Sequence, residues 1–127
     1  MIIKVTHLTL FVADQDKALS FYQKIGFIVH TDALFGDMRW LTLCLPGQKD
    51  FELPLLLATT PEEKALVGKQ AASKPLFTLE TDDCRRDYER LKQEGVEFFA
   101  QPVDEPWGIS AAFKDVDGNY IYMCQPS

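Results

Sequence analysis

The chain has 127 residues, 46% apolar and 25% charged, which is the composition of a globular domain long enough to bury a core. Its net charge of −6 argues against a nucleic-acid or anionic-membrane surface, because both require clustered Lys and Arg. The absence of a membrane-length apolar run or a signal-peptide pattern, together with three widely spaced cysteines, predicts a cytoplasmic protein.

The first half of the chain reads as a strand, a helix and three further strands. Alternating apolar residues predict a strand over 4–12, and Asp14 is suited to cap a helix that ends at Gly26. The three further strands are predicted over 27–31, 38–45 and 51–58. Pro54 lies inside the last of them and predicts an edge strand or a bulge, since proline removes a ladder donor.

The second half repeats this order after a short connecting helix. Pro61, at a first helical position, predicts that this helix covers about 61–70. The second half is then predicted to contain a strand over 74–81, a helix over 83–94 and strands over 96–101, 109–114 and 119–125. Residues 102–106 are predicted to form a loop, and the Asp-Gly and Gly-Asn dipeptides around Gly118 predict a hairpin turn.

The two halves match at one constant offset, and this internal repeat determines the predicted architecture. The corresponding pairs are Leu10 with Leu79, Asp14 with Asp83, and Gly26 with Gly95. We predict a single α+β domain over 1–127 built from two βαβββ modules, about 1–60 and about 73–127. Each helix covers only one face of its sheet, so the two curved sheets are expected to form a partly open cavity.

Polar and aromatic strand residues are expected to line this cavity and bind a ligand. The candidate ligand-binding residues are Thr9, Phe11, Arg39, Trp40, Thr78, Trp107 and Tyr122. Tyr122 would donate a hydrogen bond, the two indole rings would hold a flat or cationic ligand, and Arg39 would pair with a ligand carboxylate. The structural alternatives are cavity-wall or core aromatic rings and a solvated arginine.

Five motifs follow one another along nearly the whole chain. They are His7 to Asp14 with its continuation to Phe27, Arg39-Trp40-Leu-Thr-Leu, Leu91 to Val96, Pro106-Trp107-Gly108, and Asp115 to Tyr122. As a set they resemble the vicinal oxygen chelate superfamily, also called the glyoxalase, bleomycin resistance and extradiol dioxygenase superfamily. The resemblance implies paired βαβββ modules, usually in a homodimer, and a scaffold that hosts lyases, isomerases, oxygenases and binding proteins.

In metal-dependent members, the resemblance implies an ion held by up to four side chains from the first and fourth strands of each module. The matching positions in this chain are His7, Glu52, Leu76 and Tyr122. Leucine cannot bind a metal, and many members carry Glu where Tyr122 stands, so His7 and Glu52 form an incomplete set. The alternatives are a hydrogen-bonded cavity histidine and a turn-adjacent surface glutamate. The remaining histidine, His30, is not at a ligand position.

Two functions follow from this resemblance. The first is a homodimeric binding protein of the bleomycin-resistance type, without the complete four-ligand metal centre, that sequesters an unidentified small molecule. The alternative is a divergent lyase or isomerase in which His7 and Glu52 hold Zn, Ni, Mn or Fe. In that enzyme Glu80 would be the catalytic base that transfers the proton. No cofactor beyond such a metal is expected.

Overall fold

The computed structural model describes residues 1–127, which divide into two compact units, Met1–Val67 and Gly68–Ser127. The first unit contains β1 (Leu10–Val12), α1 (Gln15–Lys24), β2 (Ile28–Phe35), β3 (Met38–Leu45), β4 (Gln48–Leu57) and α2 (Pro61–Leu66). The second contains β5 (Phe77–Glu80), α3 (Cys84–Gln93), β6 (Val103–Glu105), β7 (Gly108–Lys114) and β8 (Tyr120–Pro126). The order βαβββ therefore occurs twice, and the predicted α+β fold is confirmed.

Each unit contains one mixed four-stranded sheet. The strand order is β1-β4-β3-β2 in the first unit and β5-β8-β7-β6 in the second. In both sheets the first and fourth strands of the unit run parallel, side by side, because the helix between the first and second strands allows the return crossover. This arrangement brings first-strand and fourth-strand side chains into contact, which positions the site.

One face of each sheet carries the hydrophobic core. In the first unit Tyr22 of α1 is fully buried with Leu41, Leu43 and Leu55. In the second unit one face of α3 is buried together with residues of the sheet. The buried residues are Cys84, Tyr88 and Leu91 of the helix and Phe113, Ile121 and Met123 of the strands. Burying a large apolar side chain stabilises a fold by about 1.5–3 kcal/mol. The alternate strand residues face the other way and remain available for function.

The helices begin at the capping residues that the sequence indicates. The Asp14 carboxylate accepts a hydrogen bond from the Lys17 amide, and Asp83 caps α3 in the same way. Thr60 and Glu63 form a capping box at α2, with Pro61 in the first turn. None of the helices is long and apolar enough to cross a membrane.

Pro54 lies in a central strand, so the predicted edge strand is wrong, although a register shift does occur nearby between β3 and β4. Proline has no N–H, so one hydrogen bond is missing where β4 runs beside β1. The predicted strand over 4–12 is consequently interrupted: an isolated parallel bridge forms at His7, and β1 itself begins only at Leu10.

The strand predicted over 96–101 does not form as a regular strand. Only an isolated antiparallel bridge between Phe98 and Phe113 forms there, and β6 lies in the segment that was expected to be a loop. Pro102 cannot donate to a ladder, so it separates the bridge from the strand that follows it.

Two glycines with positive φ provide a matched test of backbone packing. Gly108 opens β7 with φ +142°, and a Cβ built there would lie 2.1 Å from the Gln125 carbonyl oxygen. Gly36 has φ +65°, and a Cβ there would meet nothing within 4 Å. We expect Gly36→Ala to lower the free energy of unfolding by about 1 kcal/mol, the cost of left-handed backbone. Gly108→Ala should cost more than about 2 kcal/mol, because backbone must move as well.

Urea denaturation followed by circular dichroism measures both changes. Equal losses in the two variants would contradict the close approach of β7 to β8 at Gly108.

Candidate functional site

A row of four polar side chains crosses the first sheet. β4, β3 and β2 each provide one of them, and the segment before β1 provides the fourth. In the spatial order of the strands these residues are His7, Glu52, Thr42 and His30. The buried leucines of β3 and β4 alternate with them along the chain, so the row lies on the face opposite the core.

The parallel bridge between His7 and Glu52 fixes the first two members of the row. The Glu52 amide donates to the Thr6 carbonyl at 2.8 Å, and the Leu8 amide donates to the Glu52 carbonyl at 3.2 Å. The two side chains therefore project together, with His7 Nε2 3.1 Å from Glu52 Oε2. His7 and Glu52, which the resemblance gave as ligand positions on the first and fourth strands, therefore lie side by side in the backbone.

His30 reaches the row because it occupies a β-bulge. Val29 is paired with Leu43 and Thr31 with Thr42, which leaves His30 as an extra residue in β2. Bulges re-aim side chains. Here His30 Nδ1 lies 3.1 Å from Glu52 Oε1 and 2.9 Å from Thr31 Oγ1.

Sequence reasoning missed His30, since it does not stand at a ligand position of the family and a bulge has no clear sequence signature. The only signal available was that it is one of two histidines in the chain.

Glu52 is the centre of the row and is not a solvated surface residue. Its side chain is only 17% exposed. The fully buried Thr42 donates from Oγ1 to Oε1 at 2.7 Å, in addition to the contacts from the two imidazoles. An ionised carboxylate only accepts hydrogen bonds, so three donors satisfy it well. This explains how a mostly buried glutamate is tolerated.

The residues present do not fit the four-ligand metal centre that the family implies. His7 lies 3.1 Å from one carboxylate oxygen of Glu52, and His30 approaches the other oxygen from β2, the edge strand opposite β1. No group of three His, Cys, Asp or Glu side chains in residues 1–127 is arranged to hold a metal ion. In the second unit, the Leu76 amide bonds to the Tyr120 carbonyl at 2.7 Å, whereas Tyr122 lies beside Thr78. The two positions of this unit that match family ligands, Leu76 and Tyr122, therefore offer one apolar side chain and one phenol.

Trp40 extends the polar row with an aromatic surface. Its ring centroid lies 6.2 Å from that of His7, with the two planes tilted by 46°. Thr9, which shares its face with His7, is beside Pro54 when the β1–β4 register is continued. A ligand lying on this face would meet an indole, an imidazole and hydroxyl groups together.

Arg39 and Phe11 line a separate pocket of about 410 Å³ in the first unit. All three guanidinium nitrogens of Arg39 already donate to carboxylates, to Asp32 at 3.0 and 2.9 Å and to Asp16 at 2.8 Å. These bonds raise the pKa of Arg39 and lower the pKa of Asp32. Pairing of Arg39 with a ligand carboxylate stays a prediction, and it would require competition with two internal partners.

The second unit groups its candidates around Tyr122. Thr78 is its register partner, and Trp107 Nε1 lies 3.4 Å from its hydroxyl oxygen. Tyr120 and Tyr122 also line a pocket of about 190 Å³ in this unit. Glu80 lies at the end of the edge strand β5, opposite Cys124, and is exposed. Its role as a base stays a prediction.

Proteins of known family are similar to nearly the whole chain. The profile of the Glyoxalase/Bleomycin resistance protein/Dioxygenase superfamily matches residues 4–123. The Bacillus subtilis (strain 168) protein YurT is 36% identical over 125 residues, which cover 96% of this chain and 98% of YurT.

Two solved structures are also similar over nearly the full length. UcmS2 is 34% identical with a TM-score of 0.85 and covers 98% of both chains. TnmS3, an antibiotic binding protein from Streptomyces sp. CB03234, is 35% identical with a TM-score of 0.83 and covers 99% of this chain and 98% of its own. The chain therefore belongs to the glyoxalase, bleomycin resistance protein and dioxygenase superfamily.

Proposed function

We propose that this chain is a small-molecule-binding protein that sequesters an aromatic, hydrogen-bonding ligand without a complete four-ligand metal centre. The observation that carries the proposal is the Glu52 carboxylate, which accepts a hydrogen bond from Thr42 and has a ring nitrogen of His7 and one of His30 3.1 Å from its oxygens. A carboxylate held in this way is a fixed part of a recognition surface.

The sequence relatives support the same proposal. TnmS3 is described as an antibiotic binding protein and shares 35% identity with this chain over nearly its whole length. We extend that role to this chain as sequestration of an antibiotic-like molecule by a cytoplasmic homodimer. Trp40 in the first unit, and Trp107 with Tyr122 in the second, each provide an aromatic surface that is suited to a planar ligand.

A second candidate function is a divalent-metal-dependent lyase or isomerase. The observation that favours it is the placement of His7 beside Glu52 on adjacent parallel strands, facing the same way. For metal binding, these two side chains would have to exchange their mutual hydrogen bond for bonds to the ion. The two functions therefore make opposite predictions for metal content.

The metal assay uses protein purified without chelator and then incubated with Zn²⁺, Ni²⁺, Mn²⁺ or Fe²⁺. We expect less than one bound ion per ten chains after desalting, with no difference between wild type and His7→Ala. Plasma mass spectrometry gives the content, and Asp50→Ala, an exposed acidic residue, is the control. One ion per chain that is lost in His7→Ala would overturn the binding-protein proposal in favour of the enzyme.

Ligand binding is measured by intrinsic fluorescence, because each unit contains one tryptophan. We expect saturable quenching with bleomycin or with members of a panel of aromatic antibiotics. Trp40→Phe and Trp107→Phe each leave a single reporter, so the two variants assign the signal to the first or the second unit. A panel that neither quenches either reporter nor raises the melting temperature would contradict sequestration.

The hydrogen bond from Thr42 to Glu52 is tested by a double-mutant cycle. We expect Thr42→Val to lower the free energy of unfolding by about 1 kcal/mol or more, since a buried acceptor loses its donor. In the Glu52→Leu background the loss should be smaller by at least about 0.5 kcal/mol, because leucine has no oxygen to accept the bond. Thr42→Ser keeps the hydroxyl group and is the control. Strict additivity in urea denaturation would show that the bond contributes nothing.

A further inference from the structure

The contacts of Glu52 determine where the two histidines carry their protons. An ionised carboxylate has no proton to donate, so each ring nitrogen that faces it must be an N–H donor. His7 contacts the carboxylate through Nε2, whereas His30 contacts it through Nδ1. Donation from both rings to this one carboxylate therefore requires the two neutral imidazoles to be opposite tautomers.

The second ring nitrogens are in different environments. His7 Nδ1 lies 2.8 Å from Thr6 Oγ1 and can accept from that hydroxyl group. The hydrogen-bond and ion-pair partners of His30, which are Thr31 and Glu52, both lie at Nδ1. Within the first unit, Nε2 of His30 therefore has no hydrogen-bond partner, and the side chain is 35% exposed.

We infer that His30 Nε2 is the specificity-determining acceptor of this face, which selects ligands that present a hydroxyl group. This inference rests on the proposed binding function and deepens it. A neutral imidazole protonated at Nδ1 has its lone pair at Nε2, so it accepts from a ligand O–H. The carboxylate behind the ring fixes both its tautomer and its direction, as carboxylates do for functional histidines in general.

The surrounding groups restrict the ligand class further. Thr42 is fully buried, so its oxygen does not compete for the ligand hydroxyl group. Trp40 lies on the same face of β3 as Thr42 and provides a flat surface nearby. An acceptor beside an aromatic surface suits a planar aromatic ring with a hydroxyl substituent. His30, which lies outside the ligand positions that the family implies, then becomes the residue that distinguishes such a ring from its ether.

The first test reads the tautomers in the free, full-length protein. Two-bond ¹H–¹⁵N correlation spectra are recorded at pH 8, above the usual titration range of histidine. With only two histidines, His30→Gln assigns both sets of signals. We expect a proton on Nδ1 of His30 and on Nε2 of His7. A proton on Nε2 of His30 would overturn the inference, whatever the ligand proves to be.

The second test compares phenol with anisole, its methyl ether, as probes of matched shape. We expect phenol to shift the His30 Nε2 resonance saturably and to bind about fivefold more tightly than anisole, the effect of one hydrogen bond. The preference should disappear in His30→Phe and persist in Asp50→Ala, an exposed residue outside the polar row, which is the control. Equal affinities in wild type would overturn the inference.

These outcomes separate the inference from the function on which it rests. If the antibiotic panel binds but phenol binds no more tightly than anisole, only the proposed role of His30 is contradicted. Failure of every aromatic compound to bind would remove the proposed function, while the tautomer spectra would still report whether Glu52 directs the rings.

Discussion

The hydrogen bonding of one carboxylate organises the candidate site of this protein. Glu52 is mostly buried, and an isolated charge in such a place would cost several kcal/mol. Three donors, from three neighbouring strand positions, surround it and remove that cost. Its partners are thereby fixed as well, since moving any one of them would leave the charge partly unsatisfied. The positions of His7, His30 and Thr42 therefore depend on Glu52 as much as Glu52 depends on them.

The sheet topology makes this arrangement possible. The crossover through α1 places the fourth strand beside the first, so His7 and Glu52 become neighbours although 44 residues separate them in the sequence. The bulge in β2 then turns His30 towards the same carboxylate. Pro54 interrupts the ladder between the first and fourth strands and leaves His7 in a single bridge outside the regular strand. Irregular backbone on both sides of Glu52 thus shapes the site.

Much of the fold could be predicted from the sequence because the repeat, the Asp14 and Asp83 caps and the apolar periodicity are local signals. The pairing of His7 with Glu52 also followed from the resemblance. The role of His30 could not be predicted, since its bulge depends on how β2 and β3 align in space. The strand around Pro102 was misplaced for a related reason. Alternating apolar residues predict an extended chain, but the hydrogen-bonded pairing with β7 begins only after the proline. Site residues whose roles depend on register were therefore the least predictable.

The central claim is that Glu52 is satisfied by protein donors. A crystal structure of protein purified without chelator, with anomalous data collected above the zinc, nickel, iron and manganese absorption edges, tests it most directly. The account predicts direct contact between His7 Nε2 and Glu52 Oε2 near the present 3.1 Å, with His30 and Thr42 on the other oxygen and no anomalous peak beside them. An anomalous peak within about 2.2 Å of both His7 and Glu52 would contradict it and identify a metal centre instead.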